Sequence, residues 1–376
     1  MSRVKEQLLE KTLLGQAKRS EYTRRDGVIL GHNTISKGNL TINLADVWGF
    51  CYGVLYAIEA VGEVLEQNPD ETVWVLGELI HNNHVNNELE RLGANIIEPD
   101  EVHRADEDDV VVVPAFGTKK EILKHLDEED LTTVDTTCPE VREVEEQVLE
   151  FNEQGLTTII HGKYEHQESV ATSSFAEPYL IVRDEDEAER VCSYIRDGGD
   201  AEEFLSEFNH ATSDSFDPDR DLNRIGLANQ TTMLMNESVR IFEMIEQAVI
   251  DRDGSSDNVE VIDTICSATQ DRQDAVNQMT STNDYDLFIV VGGHHSSNTK
   301  NLARTAEREN GIPAYHIEDA DSFSRESIHH LPFDSTEPLD ETGWLPEGEV
   351  TVGLTAGAST PHSDLETIVK KLLSFY

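Results

Sequence analysis

The stretch VDTTCPEVREVEEQVLEFNEQGLTTIIHGKYEHQE, residues 134–168, contains the first half of the unit that decides the fold. It passes from a short strand through Cys138 into a helical pattern, then into an apolar strand and a polar turn that contains glycine. The same order of strand, cysteine, helix, strand and polar turn recurs around Cys51 and Cys266. Internal similarity at a steady interval indicates three copies of one supersecondary unit.

The spacing between each cysteine and the turn that follows it is nearly constant. The turn glycine lies 26, 24 and 26 residues after the cysteine, at Gly77, Gly162 and Gly292. The next polar side chain lies 30, 28 and 30 residues after the cysteine, at His81, His166 and Ser296. If the copies surround a pseudo-threefold axis, three thiols converge on it. A metal site with three thiol ligands has one open position.

After the first polar turn, each unit continues through a helix and a strand into a second polar turn. The second turns lie in VVVVPAFGTKKE, RIGLANQTTMLM and TVGLTAGASTPHS. Alternating strands and helices of this length predict mostly parallel sheets with right-handed crossovers. Because such sheets bind ligands beyond the carboxyl ends of their strands, we expect these turns and the cysteines to face one central crevice.

The repeat predicts an α/β protein built from three repeated units in a pseudo-threefold arrangement. We predict an N-terminal extension at 1–39 and α/β domains at 52–137, 138–262 and 263–376. The strand within 40–51 is expected to complete the third domain.

The composition excludes several classes of protein. Four cysteines among 376 residues are too few for a disulfide scaffold, which favours metal binding or chemistry. The fourth, Cys192, lies in a helical pattern and is interpreted as a small buried hydrophobe. No apolar run approaches the ~20 residues of a membrane span and no signal-peptide pattern is present, so we expect a cytoplasmic protein without a membrane partner.

The net charge of −46 is extreme, although the apolar periodicity is intact. It predicts an acidic, solvated surface suited to high salt, where screening weakens the repulsion between like charges. A nucleic-acid partner is not expected, because neutralising phosphates requires a basic surface.

The three repeated cysteines are too far apart for a zinc finger, whose ligands occur in close pairs. They are more than eighty residues apart. An iron–sulfur cluster accepts thiolates from distant rigid loops, and three thiolates on a 4Fe–4S cluster leave one iron open. The spacing therefore favours a 4Fe–4S cluster, and zinc with three thiolates and a histidine remains the alternative.

The polar turns contain hydrogen-bond donors that predict an anion site, most naturally for phosphate. The donors are His81, His84, His166, Thr231, Thr232, Ser296, Ser297, Asn298 and Ser359. Helix capping is the alternative role for Ser297, Asn298 and Ser359. The recurrence of donors in corresponding turns favours a shared ligand.

Glu168 is the one carboxylate placed among these donors. A proton source is needed near any carbon that is to be protonated, which makes Glu168 the candidate general acid. Gln230 and Thr231 are candidates for orienting this acid or relaying its proton. Asp135 and Asp263, three residues before their cysteines, are expected to brace the turns.

Eight motifs together resemble those of 4-hydroxy-3-methylbut-2-enyl diphosphate reductases, the last enzymes of the methylerythritol phosphate route to isoprenoids. They are GFCYGV, ELIHN, DTTCPEV, HGKYEHQE, NQTT, ICSATQDRQ, SSNT and TAGASTP, in the order of the family. The resemblance extends over most of the chain from about residue 40. It implies three α/β domains around a central 4Fe–4S cluster held by Cys51, Cys138 and Cys266.

The resemblance also implies the reaction and the site residues. The substrate's hydroxyl group would be removed as water, with two electrons from ferredoxin or flavodoxin, to give isopentenyl or dimethylallyl diphosphate. The implied catalytic residues are Glu168 and Thr231. The implied diphosphate ligands are His81, His166, Ser296, Ser297, Asn298 and Ser359.

One position departs from the commoner bacterial pattern of the family. The second turn of the first unit has Phe116 where that pattern has a histidine, so Thr118 is a candidate for the missing donor. The PAFG form resembles the cyanobacterial and plant branch. Two other functions are alternatives. A three-cysteine 4Fe–4S dehydratase similar to quinolinate synthase would lack the SSN and TAGAST turns that this chain contains. A non-catalytic metal-binding sensor would give Glu168 no role.

Overall fold

The computed structural model describes residues 23–25, 28–31, 33–262 and 264–376. The predicted N-terminal extension therefore lies mostly outside the described residues. In chain order the described strands are β1 Thr23–Arg25, β2 Val28–Gly31, β3 Thr34–Lys37, β4 Leu40–Leu44, β5 Val73–Leu76, β6 Ala94–Ile97, β7 Val110–Val113, β8 Thr132–Asp135, β9 Thr157–His161, β10 Tyr179–Val182, β11 Ile225–Asn229, β12 Val259–Val261, β13 Leu287–Val291, β14 Ala314–Ile317, β15 Ser327–His330, β16 Leu339–Thr342 and β17 Val350–Ala356.

The described helices alternate with these strands. They are α1 Tyr52–Gln67, α2 Asn83–Arg91, α3 Lys120–Glu128, α4 Pro139–Glu153, α5 Gln167–Ser173, α6 Glu185–Asp197, α7 Ala201–Phe208, α8 Pro218–Asp221, α9 Met235–Asp253, α10 Ser267–Thr282, α11 Ser297–Arg304 and α12 His362–Ser374. Short 3₁₀ turns lie at Pro99–Arg104 and Ala320–Ser322, and a π-helical turn lies at Thr305–Glu309.

The same four-stranded parallel sheet occurs three times. The strand orders are β6-β5-β7-β8, β10-β9-β11-β12 and β14-β13-β17-β4, and all the pairs in them are parallel. The third sheet takes its last strand from the segment before Cys51 and is extended by the antiparallel strands β3, β2 and β1. The prediction of repeated α/β units with mostly parallel sheets is therefore confirmed.

By contacts within the chain, the protein divides into two compact units. One comprises the described residues of Met1–Glu66 with Ile80–Leu89 and Ser267–Tyr376, and contains the seven-stranded sheet. The other comprises Gln67–Leu79 and Glu90–Cys266, and contains the two four-stranded sheets. The three domain boundaries expected from the sequence stay a prediction.

The buried strands show why these segments form parallel sheets. All four valines of β7 and all five residues of β13 are buried, as expected for strands covered on both faces. Cys192 is likewise buried in a core cluster, and burial raises the pKa of its thiol to about 12, which fits its interpretation as a hydrophobe. In the part of the chain that the structure describes, no helix has both the length and the apolar composition needed to cross a membrane.

Candidate functional site

The three repeated cysteines are held by the same contact. The backbone N–H of each donates to a carbonyl in a second polar turn: Cys51 to Ala358 at 3.0 Å, Cys138 to Ala115 at 3.0 Å and Cys266 to Thr231 at 3.1 Å. The pattern is cyclic along the sequence, because each second turn holds the cysteine that begins the next unit and the last holds the first. The copies therefore share a long-range contact as well as a spacing.

The first polar turns also begin in the same way. In each, the backbone N–H of the turn glycine donates to the last carbonyl of the adjacent strand: Gly77 to Ile97 at 2.7 Å, Gly162 to Val182 at 3.0 Å and Gly292 to Ile317 at 3.0 Å. The turns thus leave the three sheets at equivalent points, at the carboxyl ends of β5, β9 and β13. That is where parallel α/β sheets bind ligands.

The three thiols are reduced and partly exposed. Each cysteine directly precedes a helix, and Cys51 Sγ accepts the Val54 N–H of the first turn of α1 at 3.5 Å. Helix N-termini stabilise thiolates, the form that binds metal. Among the described residues, no group of three or more His, Cys, Asp and Glu side chains is arranged to hold a metal ion.

The compact unit that contains the seven-stranded sheet brings together five of the predicted diphosphate ligands. Ser359 Oγ donates to the His81 carbonyl at 3.0 Å, and Asn298 Oδ1 accepts the Ala358 N–H at 3.1 Å. Ser296 is the N-cap of α11, and its Oγ accepts the Thr299 N–H at 3.3 Å. Ser296 is therefore a helix cap, a role that the sequence analysis considered only for Ser297, Asn298 and Ser359, and its hydroxyl hydrogen is not used by that cap.

Ser297 and Asn298 begin α11 with their side chains buried. Within the described residues, Ser297 Oγ has no hydrogen-bond partner. A buried hydroxyl without a partner is costly unless a ligand or water satisfies it. The helix N-terminus adds a positive dipole end, so these residues suit an anionic ligand.

His316, a buried histidine that the sequence analysis did not select, contacts the turn that leads to Ser296. His316 Nε2 lies 2.9 Å from the Gly292 carbonyl, to which the protonated nitrogen donates. Burial is the main reason that the pKa of His316 falls to about 3, so the ring is neutral at physiological pH. His316 therefore acts on the backbone of the turn that leads to Ser296.

The compact unit that contains the two four-stranded sheets includes the predicted proton donor. Glu168, in the first turn of α5, is 1% exposed, and its Oε1 accepts the Thr231 N–H at 2.5 Å. The Thr231 hydroxyl also donates to this carboxyl. Burial raises the pKa of Glu168 to about 7, and the hydrogen bonds from Thr231 only partly oppose that rise. A carboxyl with such a pKa suits general acid catalysis near neutral pH.

His166 and Gln230 hold the backbone near the Glu168 carboxyl by hydrogen bonds. His166 is the N-cap of α5, and its Nδ1 accepts the Glu168 N–H at 3.2 Å. Gln230 Oε1 accepts the Lys163 N–H at 3.1 Å and the Ser169 hydroxyl at 3.3 Å. Gln230 thus joins the first and second turns of the unit, so it orients the loop that carries the acid.

Phe116, at the departure from the bacterial pattern, packs against a predicted ligand. Its ring meets that of His166 edge-on, with 5.7 Å between centroids. Thr118 is buried nearby in the sequence, at 5% exposure. A contact of this kind orients the His166 imidazole without adding a donor. The role of Thr118 as a replacement donor stays a prediction.

The loop before Cys138 is braced as the sequence analysis expects. Asp135 Oδ1 accepts the Thr137 N–H at 2.9 Å, and its Oδ2 pairs with Arg142 at 2.7 Å. Although burial opposes it, these hydrogen bonds lower the pKa of Asp135 and keep it charged. The matching Asp263 lies outside the described residues.

Sequence reasoning missed one carboxyl near the acid. Glu145 on α4 is buried, and the signal that could have found it is the helical period. Val141, Val144, Val148 and Phe151 form the apolar face of α4, and Glu145 lies within that stripe. A glutamate on a buried helix face is unusual and marks a position with a special environment.

Comparison with known proteins decides the family. The family model described as LytB protein matches residues 42–373. The chain belongs to the LytB family. It is 42% identical over 351 residues to the 4-hydroxy-3-methylbut-2-enyl diphosphate reductase of Picosynechococcus sp., covering 90% of this chain and 86% of the relative. The chloroplastic reductase of Botryococcus braunii is 42% identical over 348 residues, covering 88% of this chain and 69% of the relative.

Solved structures of LytB-type reductases share the fold. The E-1-hydroxy-2-methyl-but-2-enyl-4-diphosphate reductase from Plasmodium falciparum superposes with a TM-score of 0.67 at 25% identity, covering 88% of this chain and 86% of that one. A structure of (E)-4-hydroxy-3-methyl-but-2-enyl diphosphate reductase, described as the terminal enzyme of the non-mevalonate pathway, gives a TM-score of 0.55 at 25% identity, covering 89% and 99%. The similarity to cyanobacterial and plant-type reductases confirms the family resemblance.

Gly293 offers a test of the anion site in this LytB protein. A Cβ at Gly293 would lie 2.7 Å from the His81 carbonyl oxygen, so Gly293→Ala must push the two turns apart. We expect inorganic diphosphate to bind about tenfold more weakly, or ~1.4 kcal/mol, by calorimetry. Gly311→Ala, whose Cβ meets nothing within 4 Å but whose φ of 72° strains an alanine, is the control for a destabilising glycine replacement away from this turn, and it should leave the affinity unchanged. Equal affinity in wild type and Gly293→Ala would show that the diphosphate does not use this turn.

Proposed function

We propose that the protein is an oxidoreductase that converts (E)-4-hydroxy-3-methylbut-2-enyl diphosphate into isopentenyl and dimethylallyl diphosphate. The observation that carries this proposal is the buried Glu168–Thr231 pair, in a chain whose relatives carry that reductase name. A pKa near 7 allows Glu168 to hold a proton in the resting enzyme and to give it up during turnover. A non-catalytic sensor would have no use for such a group.

We propose that Cys51, Cys138 and Cys266 hold a 4Fe–4S cluster. The donor set fits, because three reduced thiols precede helices and share one backbone contact. Cluster thiolates bind different iron atoms, so they need not converge as the ligands of a single ion do. When bound, the cluster supplies electron transfer and an open iron for the substrate's hydroxyl oxygen. We also propose that the three repeated α/β units surround this cluster in a pseudo-threefold arrangement.

The chain's own residues bind and orient the substrate. We assign the diphosphate to His81, His166, Ser296, Ser297, Asn298 and Ser359. Ser297 supports this assignment most directly, because its hydroxyl is buried without a protein partner among the described residues. The hydrogen bond between Ser359 and His81 keeps two of these turns together.

The reaction needs a proton delivered at a defined atom. Glu168 holds it on a carboxyl oxygen, and Thr231 fixes that carboxyl through its N–H and hydroxyl groups. Both donors stabilise the carboxylate left behind when the proton departs. Their joint action makes proton release and reloading possible near pH 7.

Electrons for the reaction are proposed to come from ferredoxin or flavodoxin, and the location is proposed to be cytoplasmic. We propose neither a nucleic-acid partner nor a membrane partner. The net charge of −46 supports the exclusion of nucleic acid, since phosphate binding requires cationic surface.

The decisive experiment is anaerobic purification, iron and sulfide analysis, and reductive turnover of the diphosphate substrate. About four irons and four sulfides per chain, together with formation of both products, is the expected result. Zinc in place of iron would contradict the proposal. An intact cluster that turns over no diphosphate substrate would favour the dehydratase similar to quinolinate synthase or the sensor.

A further inference from the structure

A second buried carboxyl lies in the same unit as Glu168. Glu145, on the helix that begins after Cys138, is 6% exposed, and its Oε1 has no hydrogen-bond partner among the described residues. A buried carboxylate without donors is strongly disfavoured. The site therefore favours a carboxyl that carries a proton.

Glu145 faces the elements that adjoin the proton donor. A Cβ built on Gly117 would lie 2.5 Å from Glu145 Oε1, 3.5 Å from the Ala171 methyl and 3.6 Å from a Thr137 methyl. Ala171 lies three residues after Glu168 on α5, on the same side of that helix. Glu145 is thus enclosed by the Phe116 turn, the loop before Cys138 and the helix of Glu168.

Four charged groups act on the ionisation of Glu145: Arg142 favours it, and three acidic groups oppose it. They are Arg142 and Glu146 on α4, Asp135 at the end of β8 and Glu168 on α5. Three of the four are acidic, and Arg142 is paired with Asp135 at 2.7 Å. Burial is the largest cause that raises the pKa of Glu145 to about 8, and the acidic neighbours add to it. The carboxyl is therefore mostly protonated at neutral pH.

The proposed reaction consumes two protons with its two electrons. One proton leaves with the hydroxyl group as water, and the other ends on carbon. Glu168 holds a single proton, so it must be reloaded if it serves both steps. We propose that Glu145 is the proton reservoir that reloads Glu168 within each turnover. This inference rests on the proposed function.

The transfer balances without any oxidant or reductant. An O–H bond of Glu145 breaks and an O–H bond forms on the Glu168 carboxylate, with a water molecule as the carrier in this proposal. Glu145 then regains its proton from solvent. The pKa values of both carboxyls are raised toward neutrality, so the transfer is close to balanced and is drawn forward as Glu168 gives its proton to substrate.

The kinetic test uses three variants of the cluster-containing protein. Glu145→Gln keeps the size of the side chain and removes its acidic proton, whereas Glu143→Gln makes the same change at an exposed position of α4. We expect Glu145→Gln to lower kcat roughly tenfold with KM within about twofold, and Glu143→Gln to match wild type. In rapid-quench experiments, Glu145→Gln should consume substrate at the wild-type rate while product formation lags. Glu145→Asp, which remains an acid, should recover more turnover than Glu145→Gln.

A spectroscopic test does not depend on activity. The infrared C=O band of a protonated carboxyl, identified by its shift in D₂O, should be present in wild type near pH 6 and lost near pH 10. Because Glu168, with a pKa raised to about 7, also holds a proton near pH 6, the comparison is made in the Glu168→Gln background. The band should persist in Glu168→Gln and weaken when Glu145→Gln is added.

Either of two results overturns the reservoir: a band in Glu168→Gln that Glu145→Gln does not weaken, or product formation at the wild-type rate in Glu145→Gln. If wild type itself never reduces the diphosphate while the band is present, the proposed function fails, and the reservoir role fails with it.

Discussion

The Glu168→Gln protein is expected to keep its fold and its affinity for inorganic diphosphate and to lose turnover by about 10²–10³-fold. Glutamine preserves the shape of the side chain and still accepts the Thr231 N–H, which is 2.5 Å from Glu168 Oε1 in the wild-type site. It cannot supply an acidic proton. The loss should therefore appear in kcat, measured under anaerobic conditions with the cluster fully loaded.

The pH dependence sharpens this prediction. Because the proton-bearing form of Glu168 is the proposed active form and its pKa is raised to about 7, wild-type kcat should fall as pH rises through 7. The residual kcat of Glu168→Gln should not fall as pH rises through 7. Glu165→Gln, three residues earlier and exposed, is the matched control and should follow the wild-type profile. Normal turnover by Glu168→Gln would remove Glu168 from its proposed role.

The second large effect is on stability at alkaline pH. Burial first, and then its acidic neighbours, raise the pKa of Glu145 from 4.5 to about 8, so the folded protein retains a proton that the unfolded chain has lost. This stabilising effect is complete below pH 4.5, declines as pH rises, and is gone above pH 8. At about 1.4 kcal/mol per pKa unit, ionised Glu145 lowers the free energy of unfolding by something on the order of 5 kcal/mol.

Glu145→Gln should therefore be more stable than wild type at pH 9 and differ little from it at pH 5. Urea unfolding at the two pH values, at constant salt, measures the change in the free energy of unfolding. Glu143→Gln supplies the control, because it changes the net charge equally at an exposed site of α4. If wild type and Glu145→Gln show the same pH dependence, the carboxyl is not held protonated by its surroundings.

Much of the fold could be predicted from local patterns. Four buried valines in β7 and five buried apolar residues in β13 appear in the sequence as apolar runs between polar turns, which predicts parallel strands. The constant distance from cysteine to turn glycine predicts equivalent units, and the three sheets have the same strand order. These features depend on neighbours in sequence, so one chain suffices to find them.

Other features depend on which distant loops meet. The cysteine N–H groups find their carbonyl partners more than twenty residues away along the chain, and Thr231 reaches Glu168 across 63 residues. Periodicity reports the face on which a residue lies, but not the group that packs against that face. For this reason Glu145 could be placed on the buried stripe of α4, but its approach to Gly117 and Ala171 could not be foreseen.

By itself, the sequence determined the repeat, the mostly parallel α/β architecture, the family resemblance and the candidate residues, because each is a matter of residue type and spacing. Only the tertiary structure decided the ionisation of those residues. Burial at 1% and 6% exposure raises the pKa values of Glu168 and Glu145 toward neutrality, and that burial exists only after sheets, helices and turns have packed. A carboxyl's charge is set by its solvent exposure and neighbours, which spacing along a chain does not specify.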